Sequence, residues 1–143
     1  MAEPFETEVG IDASPDEVFR HLVDPHAMMQ WMGQHAVLEA YPGGRFEIDV
    51  NGVPVRGRYV AVERPRRVIV TWGMAGSDDL PPGSTEVEFT LLADGEGTRL
   101  RLVHRNLPDS QAPQHAVGWA HFLPRLVISA SGGDPGADVW EEQ

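Results

Sequence analysis

Cysteine is absent from this 143-residue chain, which excludes disulfides, thiolate nucleophiles and cysteine-held zinc or iron–sulfur centres, and fits a reducing compartment. Basic residues are scarce, 11 against 22 acidic ones, for a formal net charge of -11. The mean field therefore repels phosphate backbones and anionic membrane surfaces, and no nucleic-acid partner is expected. Long apolar runs are missing as well: none approaches the ~18 residues needed to cross a bilayer. The opening Met1-Ala2-Glu3-Pro4 has neither the charged nor the apolar region of a signal peptide. A cytoplasmic protein without membrane insertion is expected. The one basic cluster, Arg64 with Arg66 and Arg67, reads as a solvated turn between strands.

Recognisable catalytic motifs are also wanting. The chain has no Gly-rich phosphate loop, no dinucleotide fingerprint and no Gly-x-Ser-x-Gly nucleophile elbow. Its histidines, His21, His26, His35, His104, His115 and His121, include no i,i+4 pair with a helical Glu of the zinc-protease kind. Neither a metal nor a cofactor is expected.

What is present is a clear alternation of strand and helix periods. Phe5, Thr7, Val9 and Ile11 alternate with Glu6, Glu8 and Gly10, as in a strand with one buried face. Ser14-Pro15-Asp16-Glu17 then supplies a helix cap, a proline for the first helical position and a capping box. Asp24-Pro25 ends that helix near Val23 and opens a second short one carrying Met28, Met29, Trp31 and Met32, which needs packing to be stable. From Val37 the chain reads as strands punctuated by Pro42-Gly43-Gly44 and Asn51-Gly52, the latter a strong type I′ hairpin signal. Further strands are expected at Arg67 to Trp72, Thr85 to Leu92 and Thr98 to Arg105. From about Gln111 the period becomes helical, with Ala112, Ala116, Trp119, Leu123, Leu126, Val127 and Ala130 on one face. Pro124 should kink or restart that helix, because it cannot donate to the carbonyl of Ala120. A single α+β domain over residues 1–130 follows, with residues 131–143 as a loose tail.

The same alternation locates a candidate site. Leu100, Leu102 and His104 share one face of their strand, with Arg99, Arg101 and Arg105 on the other. Val70 and Trp72 are in register, Phe89 lies on the inward face of its own strand, and Phe46, Ile48 and Tyr59 point to the same volume. Trp31 caps one end, while His115, Trp119, Phe122 and Leu123 form a helical wall, by pocket lining or by ordinary core packing, and Gly118 allows close approach of the sheet. A curved sheet around one helix leaves a gap of the kind that holds small ligands. Glu47, Glu86 and Glu88 alternate with apolar residues and face water.

Ordered landmarks from Glu8 to Val127 resemble a known family. They are Ile11-Asp12-Ala13-Ser14-Pro15-Asp16-Glu17-Val18-Phe19, the Trp31 segment, Pro42-Gly43-Gly44-Arg45-Phe46 and the strand from Pro65 to Trp72. Gly97-Thr98-Arg99-Leu100 with His104, and His115-x-x-Gly118-Trp119-x-x-x-Leu123, complete the series. Together they resemble the activator of heat-shock protein 90 ATPase homologue-like family, a branch of the START-like (SRPBCC) superfamily. The resemblance implies a helix-grip fold: an antiparallel sheet of six to seven strands wrapped around a long C-terminal helix, with two short helices after the first strand. The chain departs from the family pattern at Trp31-Met32, where two tryptophans are frequent, at Arg64, where proline is frequent, and at Pro124.

Three functions follow as expectations, since this superfamily spreads several over one scaffold. A binding module for a small hydrophobic or aromatic ligand ranks first. A cyclase- or aromatase-like enzyme using His104 or His115 as general acid–base ranks second. A protein-partner role ranks third; the eukaryotic chaperone activator carries an extra N-terminal domain for which this chain leaves no room. An exposed sheet edge is the expected route to any homodimer.

Overall fold

In a computed structural model that describes residues 4–138, the chain forms β1 (Phe5–Ile11), α1 (Pro15–Val23), α2 (Pro25–Trp31), β2 (His35–Leu38), β3 (Arg45–Val50), β4 (Val53–Glu63), β5 (Arg67–Trp72), β6 (Thr85–Asp94), β7 (Gly97–Arg105) and α3 (Ala112–Ala130). The seven strands make one antiparallel sheet in the order β1-β7-β6-β5-β4-β3-β2, so consecutive strands from β2 to β7 are neighbours and β1 closes the row beside β7. No helix among the described residues is long and apolar enough to cross a membrane.

Local chemistry fixes the helix starts. Ser14 Oγ accepts from the backbone N–H of Glu17 at 3.2 Å, and Pro15 occupies the first turn, where its missing N–H is harmless. The Glu17 carboxylate turns to Arg20 at 2.7 Å, so the cap is a one-way bond to Ser14 where the sequence pattern promised a reciprocal box. Asp24 ends α1 by donating its N–H to the Arg20 carbonyl and starts α2 by accepting from His26 N–H at 2.9 Å. Replacing Ser14 by Ala should lower stability by about 1 kcal/mol. Urea unfolding at neutral pH checks this, and an unchanged midpoint would show that the cap is dispensable.

The hairpins obey their turn residues. Asn51 and Gly52 have φ of +51° and +86°, the two left-handed positions of a type I′ turn, and Val50 pairs with Val53 across them. β4 pairs with β3 through its first half and with β5 from Tyr59 onward, with a bulge between Tyr59 and Ala61. Such a bulge sharpens twist and bends the strand. Gly57 pairs with Phe46 of β3, and on the β5 side the Arg58 N–H finds the Thr71 hydroxyl at 2.8 Å in place of a ladder carbonyl.

The core fills the space between the inner sheet face and the helices. Phe19, Leu22, Met28 and Trp31 from α1 and α2 meet Ile48, Tyr59, Val70, Phe89, Leu100 and Leu102 from the sheet. The outer face carries ion pairs that satisfy the alternating charges: Arg101 with Glu6, Arg99 with Glu8, and Arg105 and Arg67 with Glu88. The Arg64 to Arg67 turn is indeed solvated, with Arg64 paired to Asp16 and set over the Phe19 ring at 4.6 Å.

α3 runs through Pro124 as one helix. Ala120 and Pro124 both lie on its exposed side, so water can serve the carbonyl that Pro124 leaves without a donor. Beyond α3 the stretch composed like a loose tail is tied down as far as Asp138. Arg125 donates to the carbonyls of Trp31, Pro135 and Gly136, and Asp138 accepts from Asn51 and meets His121. The rest of that stretch, residues 139–143, lies outside the described residues.

Candidate functional site: an apolar pocket between the sheet and the last helix

Between the β3–β4 hairpin, the end of β5 and the first half of α3 lies a half-open pocket with a cavity volume of about 70 Å³. Its floor is two indoles, Trp72 and Trp119, with ring centroids 5.3 Å apart. Val50, Val53 and Val55 line it from the hairpin, His115, Gly118 and Phe122 from α3, and Met32, Met74, Asn51 and Gln114 complete the lining. Among the described residues, no Asp, Glu, Lys or Arg lines it. Burying a charge without a partner is strongly unfavourable, so the walls suit a neutral, apolar occupant.

A buried polar relay holds the floor. The Trp119 indole donates to His104 Nδ1 at 3.1 Å, and an indole N–H can only donate, so Nδ1 is the acceptor. The imidazole proton then sits on Nε2, which donates to Thr85 Oγ1 at 2.8 Å; that hydroxyl donates onward to the Trp72 carbonyl at 2.7 Å. Every polar atom of His104 is therefore used. Burial, with a smaller contribution from the nearby His115, pushes the His104 pKa down to about 3. The ring is neutral at physiological pH, and its job in this arrangement is to lock Trp119 and the end of β5. Tyr59 is a second buried anchor, donating its hydroxyl to the Leu22 carbonyl at 2.9 Å; burial raises its pKa, keeping it protonated.

Of the side chains predicted to line a pocket, Trp72, His115 and Trp119 do so, and His104 lies directly behind the floor. Trp31, Phe46, Ile48, Tyr59, Val70, Phe89, Leu102 and Leu123 are instead packed in the core. The alternation correctly turned them inward, but depth along a strand, which it does not encode, decides whether an inward residue meets another side chain or the pocket. The Trp31 indole is fully buried and donates to the His21 carbonyl at 3.0 Å, tying α2 to α1. The sequence pattern also missed the role of Thr85, whose placement in the inward row Thr85, Val87, Phe89, Leu91 makes it an unusual buried hydroxyl.

Gly118 differs from expectation in a useful way. A Cβ built there meets nothing among the described residues within 4 Å, so the residue leaves space there and does not admit the sheet. Gly118→Ala should raise stability by about 0.5–1 kcal/mol, because glycine inside a helix loses more backbone entropy than alanine. A thermal scan that showed destabilisation would mean the space is filled in solution.

An antiparallel sheet curved around a long C-terminal helix, with two short helices after the first strand, defines a helix-grip protein. The chain belongs to the family of activator of Hsp90 ATPase homolog 1-like proteins, whose profile matches residues 12–129. The AHSA1-like protein RHE_CH02687 of Rhizobium etli is 39% identical, with a match covering 100% of this chain and 92% of that one and a TM-score of 0.77. DynU16, a protein of the dynemicin biosynthetic locus, is 25% identical with a TM-score of 0.83; the match covers 99% of this chain and 52% of that chain, so this chain spans about half its length. The Aha1 dimer of Colwellia psychrerythraea shares the fold at 21% identity, with 94% and 100% of the two chains covered and a TM-score of 0.77. No curated protein matches the chain.

Proposed function

We propose that this protein binds a small, uncharged, ring-containing molecule in the pocket between the β3–β4 hairpin and α3. The observation that carries the reading is the pocket's composition: two indoles, two thioethers, three valines and a phenylalanine surround a space that Gly118 leaves open. Thioethers adapt to varied shapes, and aromatic walls favour offset or edge-on contact with a ring. The likeness to a protein of the dynemicin biosynthetic locus supports a small-molecule role over a macromolecular one. In this reading His104 is a positioning residue, holding Trp119 and the Trp72 backbone, and the protein acts as a binder; a proton-transfer role for His104 is disfavoured because both ring nitrogens already have partners.

Titration with indane, followed by two-dimensional NMR, tests the reading. Resonances of Met32, Met74, Trp72 and Trp119 should shift together and saturate. Gly118→Leu, which places an isobutyl group in the open space, should abolish that response while leaving the rest of the spectrum folded. Saturable binding that persists in Gly118→Leu, or shifts confined to another face, would place the ligand elsewhere.

A further inference from the structure

The stretch that follows α3 runs back along that helix. Arg125 donates to the Pro135 carbonyl at 3.3 Å and to the Gly136 carbonyl at 2.9 Å, and Asp138 Oδ1 lies 2.8 Å from His121 Nε2. Ascending tail positions therefore meet descending helix positions, 136 against 125 and 138 against 121. The second Asp138 oxygen accepts from Asn51 Nδ2 at 3.0 Å, and Asn51 lines the pocket. The Asp138 side chain is only 4% exposed, so the tail at this point is seated between the β3–β4 hairpin and α3, the two elements that flank the pocket. On the helix side the His121 ring meets Phe122 edge-on at 4.8 Å between centroids, and Phe122 also lines the pocket.

The sequence continues Val139-Trp140-Glu141-Glu142-Gln143, in which Trp140 is the one aromatic residue and the last three suit water. Two residues of extended chain advance about 6.6 Å, close to the roughly 6 Å of four helical residues, which matches the pace set by the contacts at Arg125 and His121. Continued at that pace, position 140 comes level with Val117 and Gly118. Side chains two apart on an extended chain share a side, so Trp140 follows Asp138 inward. Here the described residues leave room: a Cβ on Gly118 meets none of them within 4 Å.

We infer that the Trp140 indole packs across the open side of the pocket, level with Gly118, as a third tryptophan of the binding site, leaving the space beside Gly118 for the ligand. This rests on the pocket reading proposed above and adds the residue that encloses a bound ring between aromatic faces, with Trp72 and Trp119 as the floor opposite.

NMR of the full chain tests the assignment. The Trp140 indole resonances, identified by their disappearance in Trp140→Phe and Trp140→Ala, should show nuclear Overhauser contacts to at least one lining residue of the hairpin and one of α3. Trp140→Ala should weaken indane binding about fivefold, as expected for loss of one aromatic wall, and Trp140→Phe only about twofold. Absent contacts, or an indane affinity that is unchanged or improved in Trp140→Ala, would overturn the inference, while indane binding to the parent protein keeps the pocket reading. An improved affinity would show the indole to be a competitor for the pocket and not part of its wall. If the parent binds no indane, the pocket reading falls and the inference falls with it. The contacts are measured in the unmodified protein, so they decide the placement of Trp140 even if a variant folds poorly.

Discussion

Acidification from pH 7 to pH 4 is expected to remove about 3 kcal/mol of folding stability through His104 alone. Its imidazole is neutral and enclosed in the fold, with a pKa near 3, whereas in the unfolded chain it returns to about 6.5. Between those values the unfolded chain binds a proton that the folded one refuses, so stability is complete above about pH 6.5 and is lost as the pH falls toward 3. The physical origin is burial first and the neighbouring His115 second. The Trp119 indole enforces it, because Nδ1 cannot take up a proton without losing its donor. Carboxylates also contribute in this range; Arg20 holds Glu17 below the usual value, and the backbone and side chain of Arg45 do the same for Glu39. His104→Gln separates the two sources, since glutamine can still accept from Trp119 and donate to Thr85 but does not titrate. Urea unfolding at pH 7.5, 5.5 and 4.5 should give a variant that starts weaker and declines less steeply than the parent. Parallel curves would show that the proton enters elsewhere.

Much of the fold was legible because its decisive signals are local. Asn51-Gly52, Ser14-Pro15 and Asp24-Pro25 each act within a few residues, and the structure uses them at a hairpin and two helix starts. The period-two rows also gave the correct inner face: Leu100, Leu102 and His104 are all buried, and the intervening arginines are paired outside. The pocket was less legible because it depends on where the sheet bends. Val50, Val53 and Val55 from the β3–β4 hairpin and Met74 beyond β5 reach it from segments that meet only through the pairing of β4 with β3 on one side and with Met74 on the other. Nothing in a local pattern distinguishes Val70, which stops in the core, from Trp72 two residues later, which reaches the floor. The resemblance to a helix-grip family supplied the curvature that the residues alone left open, and the family match bears it out.

That bend leads to the second large effect: Gly57→Ala should destabilise the protein by about 2–3 kcal/mol, at the upper end for overpacking, while Gly118→Ala does the reverse. A Cβ on Gly57 would stand 1.9 Å from the Thr71 carbonyl oxygen, a backbone atom that no rotamer change can move aside. Relief requires β4 and β5 to separate at the point where Arg56 N–H donates to the Gly73 carbonyl and Arg58 N–H to the Thr71 hydroxyl, both at 2.8 Å. Those bonds hold Val55 against Met74 in the pocket lining. The damage therefore reaches the site as well as the fold: Gly57→Ala should lower the melting temperature by roughly 6–9 °C and weaken indane binding, even at temperatures where the protein remains folded. The two glycines thus report opposite features of one pocket, a strand contact too close for a methyl group and a helix face with room for one. If Gly57→Ala melted within a degree of the parent, β4 and β5 would lie farther apart at this point, and the bend would need another cause, with the bulge at Tyr59 and Ala61 as the remaining source of curvature.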